Sequence, residues 1–520
     1  MRHLSDLDKR LFIRVAASRL RGAHPVLPRL SRAANHGRLW WTAAAALATV
    51  GGTTARRAAL RGLGSLCAAS LATNTVAKWT VNRRRPEVDP VPLVRRLVQQ
   101  PRTSSFPSGH AASAAAFATG VTLESTGYGA LVIPVAAAVA ASRVYVGVHY
   151  PSDVLAGVAL GIGAAALTCR WWPPRPQTPA EARPRVSAPA LPAGRGLVVV
   201  VNLGAGSGPG TILTVADRLR SLLPEAEILE RGAGDDLGAL LDRAARRAAE
   251  TGGALGICGG DGSVNAAARI AADRRLPLAV FPGGTLNHFA LDAGVPDFED
   301  AAHAVTQGEA IAVDLALATP TKGRPEREAH FLNTFSIGVY PELVHLRERL
   351  EGRLGKWPAA AVALARVLRT AEPMEIEING RPHRPWLVFV GNGRYSPEGF
   401  APAYRERLDD GLLDVRVIDS EPPLARTRLV LAALTGTLGS SHVYSAVQVR
   451  RLSLAKLDQV GVRAFDGEVT EAPDALLITK LSGELTVYRP TEVRNEVLQR
   501  ARAAAAAALR LQPSLAPDTG

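Results

Sequence analysis

Apolar runs alternate with short basic stretches over the first third of the chain. The apolar runs lie near 39–54, 58–77, 109–126, 128–146 and 153–172. Each approaches the ~20 residues that a helix needs to cross hydrocarbon. They are rich in Ala and Gly rather than Leu, and small residues let helices pack closely in lipid. Trp40, Trp41, Trp171 and Trp172 stand at their ends, as interfacial aromatics do. The pattern predicts an all-α membrane bundle over 39–172, with a soluble Ala-rich bundle as the alternative. Residues 1–38 are basic with scattered Leu, Phe and Val, and no compact apolar run follows the first charges. That argues against a cleavable signal peptide and for an interfacial amphipathic helix or a solvated basic arm.

Residues 173–195 (PPRPQTPAEARPRVSAPALPAGR) predict an extended, semi-rigid linker. The texture then changes. LVVVVN at 197–202 reads as a buried strand before a Gly-rich turn, and helical and strand patterns alternate to about 310. That alternation predicts an α/β lobe with a parallel sheet. From 311 to 490 short strand patterns dominate, which predicts a β-rich second lobe. Residues 491–511 read as an Ala/Arg-rich terminal helix with a loose tail behind it.

Charge sharpens this division. Of the 520 residues, 1–195 hold 25 basic and 7 acidic side chains, whereas 196–520 hold 36 and 40. The excess positive charge therefore flanks the apolar runs, which favours an anionic lipid surface over nucleic acid. Three cysteines, Cys67, Cys169 and Cys258, are too few and too scattered for a disulfide scaffold or a zinc cluster.

Three clusters in the first half share a phosphate theme: Lys78-WTVNRR-Arg85-Pro86, Pro107-Ser108-Gly109-His110 and Ser142-Arg143-VYVGV-His149-YPS-Asp153. Lys78, Arg85 and Arg143 supply positive charge, and arginine forks match phosphate oxygens bidentately. Ser108 and Gly109 lie where a helix begins, so their N–H groups can face an anion. His149 can attack phosphorus, Asp153 can hold its other ring nitrogen, and His110 can protonate the leaving oxygen. This chemistry requires no metal. A lone histidine is most often structural; two of them, each beside fixed cations, are not. The neighbouring Arg83 and Arg84 read as a topogenic charge run.

These clusters resemble the three motifs of the type 2 phosphatidic acid phosphatase superfamily, K-x6-R-P, P-S-G-H and S-R-x5-H-x3-D. The resemblance covers roughly 39–172. It implies a phosphohistidine on His149 and hydrolysis of a lipid-linked phosphomonoester or pyrophosphate. Vanadium-dependent haloperoxidases share the constellation, but they are soluble, and the apolar spans argue against them.

A second set of clusters lies in the soluble half: Asn202-LGAGSG, Gly259-Gly260-Asp261-Gly262-Ser263-Val264-Asn265 and Pro282-Gly283-Gly284-Thr285-Leu286-Asn287. GGDG follows the apolar run ALGIC, which places it at the carboxyl end of a strand, the ligand edge of an α/β sheet. Glycines let backbone close on polyphosphate, Asn and Thr can bond its oxygens, and Asp261 can hold magnesium through water or orient an attacking hydroxyl. No G-x4-G-K-[ST] is present, and the glycines at 204–210 miss the dinucleotide spacing.

GGDGSVN and PGGTLN resemble the nucleotide-binding motifs of the diacylglycerol kinase and sphingosine kinase superfamily, over about 197–489. The resemblance implies ATP and magnesium. It implies a magnesium-organising role for Asp410 and Asp414 in LDDGLLD (408–414). It also places Asp466 or Glu468 of FDGE (465–468) in the active cleft, as base or nucleotide contact. Many bacterial members have Asp after the PGGTxN Asn; here it is His288, with Asp292 as a possible substitute.

Together these readings describe a bifunctional integral protein of a bacterial cell membrane. An extracytoplasmic lipid phosphatase would act on phosphatidic acid or a polyprenyl (di)phosphate. A cytoplasmic ATP-dependent kinase would act on diacylglycerol. Its partners would be membrane lipids, with no nucleic acid. One alternative is a phosphatase whose kinase-like lobe only senses nucleotide or lipid. Another pairs a sphingoid-base, ceramide or polyprenol kinase with a polyprenyl-diphosphate phosphatase.

Overall fold

The computed structural model describes residues 2–18, 23–50, 53–77, 83–87, 89–97, 104–176, 178–185, 188–202, 214–232, 234–284, 287–322, 328–339, 346, 349–350, 362, 366, 369–399, 404–466 and 468–491. The chain splits into two compact units, one over Met1–Gln177 and the other over Thr178–Val493. The terminal helix expected over 491–511 lies outside the described residues.

The first unit is helical: α1 (Arg2–Ala17), α2 (Ala23–Ala33), α3 (Arg38–Val50), α4 (Thr53–Ala72), α5 (Gly109–Glu124), α6 (Thr126–Tyr145) and α7 (Pro151–Thr168). Each apolar run of the sequence is one of α3 to α7. Ser125 separates α5 from α6: it is extended at φ −154°, and its hydroxyl accepts the Tyr128 N–H as the α6 N-cap. Among the described residues only α6 and α7 are long and apolar enough to cross a membrane, with mean hydropathies of 1.5 and 1.4. Of the other apolar runs, α3 and α5 form helices of 13 and 16 residues, and α4 carries Arg56, Arg57 and Arg61.

Close approach of backbones organises this unit, with α5 packed against α4, α6 and α7. A Cβ on Gly157 would meet the Ser108 carbonyl oxygen at 2.4 Å, and one on Gly161 would meet that of Ala112 at 2.3 Å. Only glycine permits α7 to lie so near α5. At the next interface Trp40 and Phe117 pack with ring centroids 5.1 Å apart.

Among the described residues the second unit holds two large sheets and a two-stranded one, Tyr395–Ser396 with Tyr404–Arg405. In the first, β3 (Glu227–Glu230), β2 (Leu197–Val201), β4 (Ala254–Gly259) and β5 (Leu278–Pro282) run parallel in that spatial order. The first three residues of β2 have no exposed surface worth the name, and helices Leu237–Glu250 and Asp261–Asp273 pack beside the sheet. The expected α/β lobe is present. The second sheet is antiparallel. Its spatial order is Tyr444–Val449, Leu413–Asp419, Pro385–Asn392, Thr334–Gly338, Val462–Phe465 and Glu468–Glu471. This is the expected β-rich lobe. The boundary expected at 310 is not a clean cut, because strands Ala310–Lys322 and Ala475–Tyr488 pair antiparallel and contribute to the cores of both lobes.

The Pro-rich segment is not wholly a free linker. Pro184 and Arg185 (β1) pair with Ile311 and Ala310, Ala180 N–H donates to the Asp292 carbonyl, and Leu191 N–H donates to that of Val305. Ala180, Ala188 and Leu191 are buried in the core of the second unit. Prolines bar a ladder only where an N–H is needed, so a short edge pairing survives among them.

Replacing Gly161 by Ala is expected to force α5 and α7 apart and to destabilise the helical unit by about 1–3 kcal/mol. Thermal unfolding in detergent, compared with the unmodified chain, reads this directly.

Candidate active sites

The loops before α5 and between α6 and α7 meet at one end of the helical unit. His149 is buried there. Its Nδ1 lies 2.7 Å from the Ser105 carbonyl oxygen, an acceptor, so Nδ1 carries the proton and Nε2 presents a lone pair. Nε2 sits 3.3 Å from an Arg85 Nη, and Arg85 is held by the carbonyls of Val148 (2.7 Å) and Ser104 (3.2 Å). Burial, then the charges of Arg143 and Arg85, push the His149 pKa down from 6.5 to about 2, against the pull of the Ser105 carbonyl. The ring is therefore a neutral base with its lone pair facing cations, as an attack on phosphorus requires.

Asp153 holds His149 less directly than the spacing predicts. Its Oδ2 is 3.9 Å from Nδ1. It accepts instead from the Ser105 hydroxyl (2.5 Å), the Tyr150 N–H (3.0 Å) and Arg83 (2.6 Å). Asp153 thus fixes the loop whose carbonyl fixes the ring. Ser108 N–H also departs from expectation, because it donates to the Asp153 carbonyl at 2.9 Å and is not aimed at an anion. The Ser108 hydroxyl and the Arg143 Nε are buried with no hydrogen-bond partner. Unsatisfied buried donors are costly, so these two are available to an acceptor that the protein itself does not supply. Gly109 opens α5 as expected, and His110 Nε2 lies 2.9 Å from Asn35 Oδ1. Lys78 lies outside the described residues.

Sequence reasoning missed Ser105 and misread Arg83, which joins Asp153 to Asp8 rather than marking topology. An arginine run carries no signal of which member will find a buried carboxylate.

In the second unit the two glycine loops leave the carboxyl ends of adjacent strands β4 and β5. A Cβ on Gly284 would lie 2.5 Å from the Gly260 Cα, and one on Gly283 would lie 2.9 Å from the Gly259 nitrogen. The glycines therefore let the loops abut, leaving bare backbone at the sheet edge. Asn287, at φ 50°, closes its own turn, since its side chain accepts from Gly284 N–H and donates to Gly284 O. Asn202 donates to the Ser263 hydroxyl at 2.8 Å, and Asn265 accepts from Leu332 N–H at 3.1 Å. Gly262 is exposed at the start of the helix. Thr285 lies outside the described residues.

Asp261 is half-buried, and its two oxygens accept the N–H groups of His288 (3.1 Å) and Phe289 (3.0 Å). Asp292 does not stand in for an acid at 288. It is buried against Arg405 at 3.0 Å, and Arg405 also grips the carbonyls of Leu332 and Asn392. Asp466, at φ 47°, accepts backbone N–H groups from Leu332, Asn333 and Thr334. Burial still pushes its pKa up to about 6 against those bonds and Arg405. The Glu468 side chain lies outside what the structure describes.

The acidic loop is occupied by other partners. Asp410 accepts from the Arg394 and Leu412 N–H groups, and the buried Lys480 ammonium lies 3.3 Å from it and 3.4 Å from Asp314. Asp414 accepts from Tyr395 N–H and pairs with Arg416 at 2.8 Å. Carboxylates so neutralised are poor ligands for a divalent cation, so the site expected for magnesium at Asp410 and Asp414 does not fit one. Among the described residues no cluster of three His, Cys, Asp or Glu side chains could hold a metal.

Family models match in three blocks: the PAP2 superfamily over 59–177, the diacylglycerol kinase catalytic domain over 196–318, and the YegS C-terminal NAD kinase beta sandwich-like domain over 343–495. The chain joins a PAP2 superfamily domain to a diacylglycerol kinase catalytic domain. The Escherichia coli (strain K12) lipid kinase YegS is 29% identical over 195 residues, which are 35% of this chain and 60% of that protein. The chain thus spans about 60% of the length of the curated relatives it matches. Among solved structures, a diacylglycerol kinase of Bacillus anthracis str. Sterne is 24% identical, with 57% of this chain and 98% of that chain covered and a TM-score of 0.41. Aquifex aeolicus LpxE is 21% identical, with 32% and 95% covered and a TM-score of 0.27.

Two outcomes follow from this geometry. Below pH 6.5 the unfolded chain takes up a proton on His149 that the folded PAP2 domain refuses, so folding weakens as pH falls through this range. The melting temperature is expected to fall more steeply below pH 6.5 than that of His149→Asn. In the second unit, Gly284→Val is expected to part the two loops and, on the nucleotide-binding role that the motifs imply, to weaken ATP binding on the order of tenfold, equivalent to about 1.4 kcal/mol. Titration calorimetry with the intact chain measures it.

Proposed function

We propose that the chain is a bifunctional membrane enzyme, a lipid phosphatase in its PAP2 domain and an ATP-dependent lipid kinase in its second unit. The observation that carries the first half is the His149 Nε2 lone pair facing Arg85 at 3.3 Å, in a unit where the Ser108 hydroxyl and the Arg143 Nε are buried without a partner. In this reading Nε2 attacks the phosphorus of a lipid phosphate, and a phosphorus–nitrogen bond forms as the bond to the leaving oxygen breaks. The guanidinium groups neutralise the equatorial oxygens, and His110 gives its proton to the departing lipid oxygen. Water then attacks the phosphohistidine, His110 takes the water's proton, and inorganic phosphate leaves. Apolar α6 and α7 would set this centre at a membrane surface, where phosphatidic acid or a polyprenyl (di)phosphate can reach it.

The kinase half rests on the abutting glycine loops at the ends of β4 and β5. Bare backbone there can follow a polyphosphate, with Asp261 beside it to orient a lipid hydroxyl or to hold the nucleotide's magnesium through water. The γ-phosphoryl passes to the hydroxyl of diacylglycerol or a related lipid alcohol, and the hydroxyl proton is released. No step runs through Asp410 or Asp414. A kinase needs cytosolic ATP, so we place the kinase in the cytoplasm and the phosphatase centre on the other face. A second reading, a nucleotide-sensing lobe without turnover, is favoured by His288 and by the capture of both Asp261 oxygens by backbone N–H groups.

Transfer of label from γ-labelled ATP to a panel of lipid alcohols tests both halves. His149→Ala is expected to lower phosphatase activity roughly a thousandfold or more, so labelled lipid survives in that background. Adding Asp261→Ala should then remove the label. Nucleotide binding without label on any lipid would favour the sensing lobe instead.

A further inference from the structure

The two N-terminal helices and the turn behind them, read from sequence as a basic arm, precede the PAP2 match at residue 59. Their polar side chains nevertheless end at the phosphatase centre. Asp8 is 5% exposed; it accepts from Arg83 at 2.6 Å and from the Ser152 N–H and hydroxyl at 2.9 and 2.5 Å. Arg83 in turn reaches Asp153. Ser31 has no exposed surface, and its hydroxyl is 2.5 Å from Arg143. Asn35 Oδ1 is 2.9 Å from His110 Nε2. A solvated arm would not place three buried or half-buried polar groups on three different members of one site.

The arm is also locked in place. Phe12 and Ala16 are buried with Ala111, Ala140, Val144 and Val154, and Phe12 meets the Tyr150 ring edge-on at 5.8 Å. Arg95 donates to the carbonyls of Ala16 and Ser18, closing the end of α1.

We propose that this arm is part of the phosphatase machinery, with Asn35 as the positioning residue for His110, Ser31 for Arg143 and Asp8 for the Arg83–Asp153 pair. The proposal rests on the phosphatase reading above. With Oδ1 as acceptor, Asn35 holds the Nε2 proton of His110 and fixes the ring plane, so that the imidazolium gives its Nδ1 proton to the leaving oxygen and regains one there from water, with no ring rotation. Ser31 holds one nitrogen of Arg143 and so aims the Nε that has no partner of its own.

The test uses the full-length chain in mixed micelles, with p-nitrophenyl phosphate and phosphatidic acid as substrates. Asn35→Leu is expected to lower kcat at least tenfold with KM within twofold and the melting temperature unchanged. Asn35→Asp keeps the acceptor and is expected to restore most of kcat. Because a carboxylate favours the imidazolium, it should also move the alkaline limb of kcat to higher pH. The charged groups around the paired His149, namely Arg85 and Arg143, are the same in both variants. Ser31→Ala is expected to weaken competitive inhibition by inorganic phosphate severalfold, and it serves if the Asn35 variants do not fold. Wild-type kcat in Asn35→Leu, or unchanged phosphate inhibition in Ser31→Ala, overturns the proposal while hydrolysis lost in His149→Ala keeps the phosphatase reading intact. A wild-type chain that hydrolyses neither substrate overturns the phosphatase reading itself.

Discussion

A carboxylate with no exposed surface must find a donor for each oxygen, and Asp153 meets that demand from three separate stretches of chain. The Ser105 hydroxyl, the Tyr150 N–H and Arg83 converge on it, and its own carbonyl takes the Ser108 N–H. Because the Ser105 carbonyl then receives the His149 Nδ1 proton, the tautomer of His149 is set one residue away from the charge that organises it. Arg85, Arg143 and Ser108 inherit their places from the same loops. What remains unsatisfied in these loops is one hydroxyl, of Ser108, and one guanidinium nitrogen, of Arg143.

The second unit shapes its glycine loops by the opposite device. It removes side chains where backbone must come close, as Gly260 and Gly284 show, and secures the surrounding turns with amide groups that bond inward. Asn202, Asn265 and Asn287 each spend their side chains on protein partners. Their part is to hold the loops in the shape that a nucleotide would need.

Local spacing made much of this legible. The motif loops, the helix boundaries near 109, 126 and 151, and the strand-to-loop position of GGDG follow from short-range pattern. The missed features are long-range pairings without a spacing of their own. Asp8 and Ser152 are 144 residues apart, and Arg183 and Asp409 are 226 apart. Composition also misled where an average hides a contact. The proline-rich segment carries buried Ala180, Ala188 and Leu191, and the basic arm carries one decisive acid. The acidic loop matched its family pattern in LDDGLLD, but the cation beside it comes from Lys480, a residue no motif contained.

Strand Ala475–Tyr488 runs beside Ala310–Lys322 along nearly its whole length, with breaks in register between Ala475 and Leu476 and between Leu481 and Leu485. Its first half lies in the core of the β-rich lobe and its second half in that of the α/β lobe. Neither lobe can therefore lose its hydrogen bonds alone, because melting one end frays the ladder that the other shares. The pair is expected to act as a common cooperative element, with amide protons that exchange slowly relative to those of the loops around it. A chain cut between the lobes would part strands whose residues serve both cores, so the two lobes form one folding unit rather than two that meet.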